Sequence, residues 1–176
     1  PWVLPDGRVI YTRWEYIDRS QVDYHHLWTT NPDGTGQMVH FGNQRPGLVM
    51  IDAKPVPGSE KVVAIFSPGH GRRDHAGALA LVDPRAGPDD TDRVQSIASG
   101  EDFRDPWAFD ERCVIAARGG AIVAVDGNGR AGEIFALSEE DLKAGYMLHE
   151  PRPIFARATE KRIVTRTDPA RDTGTL

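Results

Sequence analysis

Asp105-Pro106-Trp107-Ala108-Phe109-Asp110-Glu111-Arg112-Cys113-Val114-Ile115 sets an order of signals that the rest of the chain repeats. An extended, Pro-containing stretch meets a polar turn and then a run rich in β-branched residues. The same order is found in Trp2-Val3-Leu4-Pro5-Asp6-Gly7-Arg8-Val9-Ile10-Tyr11 and in Lys54-Pro55-Val56-Pro57-Gly58-Ser59-Glu60-Lys61-Val62-Val63-Ala64-Ile65. It is found a fourth time in Pro153-Ile154-Phe155-Ala156-Arg157-Ala158-Thr159-Glu160-Lys161-Arg162-Ile163-Val164. The basic residue opening each second run stands at Arg8, Lys61, Arg112 and Arg162, so the spacings are 53, 51 and 50 residues. A fixed period of this length marks a repeat architecture.

Each of the first three units continues with a strand-like run that ends in a turn residue. These runs are Leu27 to Asn31, Ala78 to Asp83 and Ala121 to Asp126. Asn31, Asp83 and Asp126 can fold back on the following backbone amides, with Gly supplying positive φ nearby. Four short strands per unit, with almost no helical periodicity, predict an all-β chain of the β-propeller type, built from four-stranded antiparallel blades. The units run over about 1–50, 51–101 and 102–146, with an incomplete fourth over 147–176. One helix is predicted at Ser138 to Ala144, with Ser138 as N-cap and Gly145 as the stop. Three to four blades do not close a ring of 4 to 8, so a segment of a larger ring within a longer chain is expected.

Composition excludes several classes. The 176 residues hold 18 glycines and 13 prolines, too few for a low-complexity chain, and 39% of the residues are hydrophobic. The longest aliphatic or aromatic run, Val62 to Phe66, is far short of a membrane helix, so no membrane span is expected. A net charge of −5 argues against a nucleic-acid partner. The single cysteine, Cys113, excludes an internal disulfide, a Cys-x-x-Cys-His haem attachment and a multi-Cys zinc site within these residues. Its apolar neighbours predict a buried, inert thiol.

The segment Leu27-Trp28-Thr29-Thr30-Asn31-Pro32-Asp33-Gly34-Thr35-Gly36-Gln37 resembles the blade motif of TolB-like, WD-like propellers. A second resemblance rests on residues 14–20, on Ser67-Pro68-Gly69-His70-Gly71-Arg72-Arg73-Asp74-His75-Ala76-Gly77 and on Leu148-His149-Glu150-Pro151-Arg152-Pro153. These are similar to the middle domain of hydrazine synthase alpha-subunit-like proteins. That resemblance implies an extracytoplasmic, periplasmic-type multidomain parent, in which a propeller sits beside other domains, some carrying haem c. It maps no cofactor ligand onto this chain.

The densest polar cluster lies between two strand-like runs and holds His70, Arg72, Arg73, Asp74 and His75. It admits a structural reading, with Asp74 bonded to loop amides or to the arginines. It also admits a contact surface for a ligand or partner, or a metal site on His70 and His75. His25 and His26 are adjacent on a strand and face opposite ways, so at most one can join a shared site with His149. A carboxylate recurs before the first run of successive units, at Asp52, Asp105 and Glu150. Radial repetition would bring these residues around the channel opening. Arginines at the ends of second strands, Arg13, Arg118 and Arg166, offer partners within each unit. Asp126-Gly127-Asn128-Gly129-Arg130 departs from a calcium loop at its fifth position and reads as a hairpin turn. Trp2, Trp28 and Trp107 read as core between units.

The expected function is that of a non-catalytic scaffold or binding domain of a larger protein, with neighbouring domains and protein partners as its contacts. Arg13, Glu15, Asp18, His70, Arg72, Asp74, His75, Asp105, His149 and Glu150 are the contact candidates. No catalytic residue and no cofactor is expected within the chain. The alternative is a component of a haem-containing redox enzyme, supporting a centre on other domains.

Overall fold

The computed structural model describes every residue except 18, 70–74, 172 and 174–176, and only the backbone of residue 101. Among the described residues, eleven strands form one mixed sheet: β1 (Trp2–Val3), β2 (Val9–Trp14), β3 (Tyr24–Thr30), β4 (Met38–Phe41), β5 (Leu48–Pro55), β6 (Val62–Ser67), β7 (Gly77–Val82), β8 (Val94–Asp110), β9 (Cys113–Arg118), β10 (Ala121–Asp126) and β11 (Ala131–Ala136). The chain is all-β, as its turn spacing predicts. Strands β1 to β4 run as an antiparallel meander, and β5, β6, β7 and the first part of β8 run as a second. The second part of β8 continues with β9, β10 and β11 as a third. The first meander joins the second through two parallel pairs, Tyr24 with Leu48 and His25 with Val49.

The alternation of side chains explains how the meanders pack. In β6, Val62, Ala64 and Phe66 enter one core while Val63 and Ile65 enter the other. In β7, Ala80 and Val82 follow the first group, Leu79 and Leu81 the second. Since successive residues of a strand face opposite sides, the second meander is covered on both faces. One core holds Leu4, Ile10, Leu27, Phe41 and Met50 from the first two meanders. The other holds Phe103, Ala108, Val114, Ala116, Val123 and Val125 from the third. Burying each of the larger side chains contributes about 2 kcal/mol, so the sandwiched middle meander is the most strongly held.

The turns follow their sequence signals. Asp83 accepts from the Arg85 amide at 3.1 Å, and Asp126 accepts from the amides of Asn128 at 2.8 Å and Arg130 at 2.9 Å. In the first unit Asp33, two residues after Asn31, takes this role by accepting from the Thr35 amide at 3.0 Å. The Asp126 loop is a hairpin turn closed by Gly129 N–H to Asp126 C=O at 2.9 Å. Helix α1 (Glu139–Lys143) is capped by Ser138, whose Oγ accepts from the Asp141 amide at 3.1 Å. Cys113 is half-buried beside the β8–β9 and β10–β11 turns, not enclosed as its apolar neighbours suggest.

The fourth unit departs from expectation. Its β-type run at 161–166 forms no strand, because a strand needs a ladder and the segment finds only isolated acceptors. Lys161 N–H donates to Pro5 C=O at 3.0 Å, and the Arg166 amide donates to Asp33 Oδ2 at 2.6 Å. The second bond, with two more from Thr35, holds the Asp33 carboxyl well below the usual carboxylate range. This segment passes so close to Gly7 (φ 93°) that a Cβ there would stand 2.1 Å from the Lys161 carbonyl oxygen. Gly7→Ala is therefore expected to lift residues 161–163 off the first meander and to speed tryptic cleavage at Lys161 and Arg162 by about tenfold. An unchanged cleavage rate would show that the segment is not held there.

Candidate functional site

The site is built from one backbone device used three times. In β5, Ile51 pairs with Ile65 and Lys54 with Val63, so Asp52-Ala53 is skipped. In β8, Arg104 pairs with Ala117 and Trp107 with Ile115, so Asp105-Pro106 is skipped in the same way. Asp52 and Asp105 take left-handed backbone angles, φ 56° and 50°, and Glu150, followed by Pro151, takes φ 47°. Such angles are unusual outside glycine and cost on the order of 1 kcal/mol each, with Asp among the residues that tolerate them. The three bends bring the carboxylates of Asp52, Asp105 and Glu150 together, with one oxygen from each within 4.8 Å of the others.

The surrounding contacts tie the units to one another. Asp105 is buried, and its Oδ2 accepts from the Glu150 amide at 3.2 Å and lies 3.0 Å from His149 Nδ1. Lys54 is 4% exposed, and its ammonium lies 3.3 Å from Glu150 Oε2. Arg152 reaches the same oxygen at 3.0 Å. Burial, followed by the Asp105 charge, pushes the Asp52 carboxyl up to about 6; Lys54 acts against that shift, and Glu150 and a hydrogen bond shared with Asp105 add to it. The cluster thus pairs a proton-retaining acid with an internal ammonium. Lys54 supplies positive charge that three close carboxylates would otherwise draw from a bound cation.

One step along the same strands lies a second layer. Trp2, Lys54 and Trp107 are equivalent by register, since their partners Ile10, Val63 and Ile115 face Thr29, Leu81 and Ala124. Each of those last residues stands two positions before its turn residue, Asn31, Asp83 or Asp126. Arg152 follows Glu150-Pro151 as Trp107 follows Asp105-Pro106. These four side chains meet. The Trp2 and Trp107 rings pack edge to face at 5.2 Å, with the Arg152 guanidinium 4.6 Å and the Lys54 ammonium 5.8 Å from the Trp2 ring centre. Below them is a cavity of about 380 Å³, walled by the first strands of the three meanders and by residues 155–160.

Of the residues singled out in the sequence, Asp105, His149 and Glu150 come together here with Asp52. Arg13 and Glu15 lie elsewhere, beside β3. Arg13 covers the Trp28 ring at 4.3 Å, and Glu15 accepts from Arg19 at 3.1 Å and stands 3.9 Å from His26 Nε2. His26 is fully buried, which lowers its pKa, and His25 is buried too. His75 has φ 46° and joins no cluster of metal-ligating groups among the described residues. Asp18, His70, Arg72 and Asp74 lie outside the described residues.

The expected pairing of each carboxylate with the arginine ending its unit's second strand does not hold, and Glu150 takes Arg152 of its own unit instead. Arg118 binds Asp102 at 2.8 Å, and Arg13 stacks on Trp28, because the bends turn the acids toward one another instead. Trp2 and Trp107 pack on each other between units, as expected of them, and both also line the cavity. Lys54, Trp2 and Arg152 were not marked as site residues in the sequence. A lysine inside the apolar run Ile51 to Val56 is the signal that could have found the first. No family model, curated protein or solved structure matches the chain. Among the described residues, no helix is long and apolar enough to cross a membrane.

Proposed function

We propose that the chain is a propeller segment serving as a non-catalytic scaffold or binding domain of a larger, extracytoplasmic protein. Successive units stack face to face and present equivalent positions to a common axis. The observation that carries the reading is the convergence of Asp52, Asp105 and Glu150, each on the same left-handed bend in successive units. Units related by translation along a flat sheet would keep such residues apart; units related by rotation gather them. The resemblance to extracytoplasmic propellers agrees with this arrangement. Contact with neighbouring domains falls to the axial face and to the exposed β11, whose residues all face solvent.

Three meanders leave both ends of the stack uncovered, and β11 is an edge strand with Ile134 and Phe135 exposed. The isolated chain is therefore expected to self-associate. Light scattering behind a sizing column should give a mass above the 19.4 kDa of one chain, rising with concentration up to about 50 µM. A monomer at every concentration would overturn the open-stack reading.

A further inference from the structure

We infer that His26 is an acid-sensitive catch on the joint between the first and second meanders: a proton on its ring favours release of Arg19 from Asn43, the contact that clamps residues 42–47. The inference stands on the contacts of this joint and goes beyond the binding-domain reading. The His26 side chain is 1% exposed, and neither ring nitrogen makes a hydrogen bond among the described residues. Its Nε2 stands 3.9 Å from Glu15 Oε2, too far for one. The rings of Tyr24 and Trp28 flank it, with centres 6.4 and 5.9 Å away, and a Cβ on Gly42 would come within 2.9 Å of the His26 Cβ. Arg19 spans the joint beside this ring. Its guanidinium lies over Tyr24 at 3.7 Å, reaches Glu15 Oε2 at 3.1 Å, and donates to Asn43 Oδ1 at 2.9 Å and to the Asn43 carbonyl at 2.7 Å. Asn43 passes the link to the second meander, its Nδ2 donating to Asp89 Oδ1 at 3.0 Å. The Gly47 amide closes the far end of the joint by donating to the Asp23 carbonyl at 2.9 Å.

A neutral imidazole is tolerated in these surroundings, and an imidazolium without water or a bonded partner is not. Burial, the largest cause, lowers the His26 pKa; Glu15 acts against that shift, and the charges of Arg19, Arg13 and His25 add to it. Arg13 faces His26 across the β2–β3 pair, and Tyr24 is the remaining titratable group against the ring; Asp18 lies outside the described residues. Once the joint parts, water reaches the ring and its pKa returns toward about 6.5. The open form then holds more protons than the closed one, so the closed form keeps its full advantage above about pH 6.5 and loses it as pH falls. His40 does not share this response. Its pKa is lowered to about 4, by burial first and then by Arg8, with Asp6 opposing, so it stays neutral down to about pH 5.

Amide hydrogen exchange on the 176-residue chain, expressed as protection factors so that the intrinsic pH dependence cancels, tests this. The Gly47 amide reports on the joint, and Val63, in the covered β6, is the reference. Between about pH 7.5 and about pH 5, protection at Gly47 is expected to fall at least about fivefold relative to Val63. His26→Phe keeps a ring in the enclosure and cannot take a proton, so its ratio should stay flat. Glu15→Gln removes the neighbour that favours the charged ring, so its fall should be larger than that of the native chain; a purely structural Glu15 would lower protection equally at both pH values. A flat ratio in the native chain overturns the inference, and so does an undiminished fall in His26→Phe. If His26→Phe does not fold, Glu15→Gln decides, and a fall no larger than the native one overturns it. Self-association is read separately on the sizing column, so the open-stack reading and this one can fail independently.

Discussion

Asp52→Asn is expected to stabilise the chain at pH 8 by about 2 kcal/mol and to steepen the rise of its stability with pH between 4 and 6.5. The folded state raises the Asp52 carboxyl to about 6, so across this window the folded chain holds a proton that the unfolded chain has released. Stability from this group is complete below the unfolded pKa near 4 and is lost as pH rises through about 6. His40 acts in the opposite sense. Its ring is buried, which lowers its pKa to about 4, so folding favours the neutral form and stability is lost as pH falls from 6.5 toward 4. In the native chain the two slopes oppose each other. Asparagine tolerates the left-handed backbone at position 52 and offers Asp105 an N–H in place of the shared proton. The variant thus removes one slope and leaves the rise with pH due to His40 and His26. Urea denaturation followed by tryptophan fluorescence, at a concentration below the onset of association, measures this. Parallel profiles for the variant and the native chain would mean that the carboxylates do not meet.

Gly77→Ala should be the most damaging single substitution on the sheet. A Cβ at Gly77 would lie 2.3 Å from the Phe66 carbonyl oxygen and 2.6 Å from the Ser67 Cα, both backbone atoms of the neighbouring strand. A flexible side chain could step aside; a strand covered on both faces cannot. A loss of about 3 kcal/mol or more is expected, a large part of the stability of a domain this size. Gly132→Ala is the control, since a Cβ there meets nothing within 4 Å. It should change stability by less than about 0.5 kcal/mol. Chemical denaturation of the two variants would separate the cases, and equal midpoints would show that β6 and β7 can part at Gly77.

Local signals carried well from sequence to structure. The turns at Asp83 and Asp126, the Ser138 cap and the strand-like runs of the first three units depend on residues a few positions apart, where side-chain chemistry acts directly on the backbone. The recurrence of acids at Asp52, Asp105 and Glu150 was also legible, and it led to the site. The layer beside them was not. Aligning the units on Arg8, Lys61 and Arg112 sets the third unit off by one residue, because Lys61 and Cys113 precede equivalent positions of β6 and β9. A one-residue slip hides the equivalence of Trp2, Lys54 and Trp107, which only the pairing register reveals. The fourth run at 161–166 has β composition but no ladder to join. Strand formation depends on a partner that composition cannot supply.

The continuity of β8 bears on how force would pass through the molecule. Within this strand Phe103 is paired with Gly77 on one side and with Arg118 on the other, so the second and third meanders share one continuous strand, bulged at residues 99–102 and 105–106. A pull on either passes through β8 into the other, and its bulges are the places that yield first. Between the first and second meanders the chain instead crosses residues 42–47, with Gly42 at φ 95° and Gly47 at φ 81° at its ends and two parallel pairs beside it. Mechanically the chain is a stiff double lever with a jointed arm. A neighbouring domain that pushed on the first meander would tilt it against the other two, opening or narrowing the gap that Trp2 bridges to Trp107.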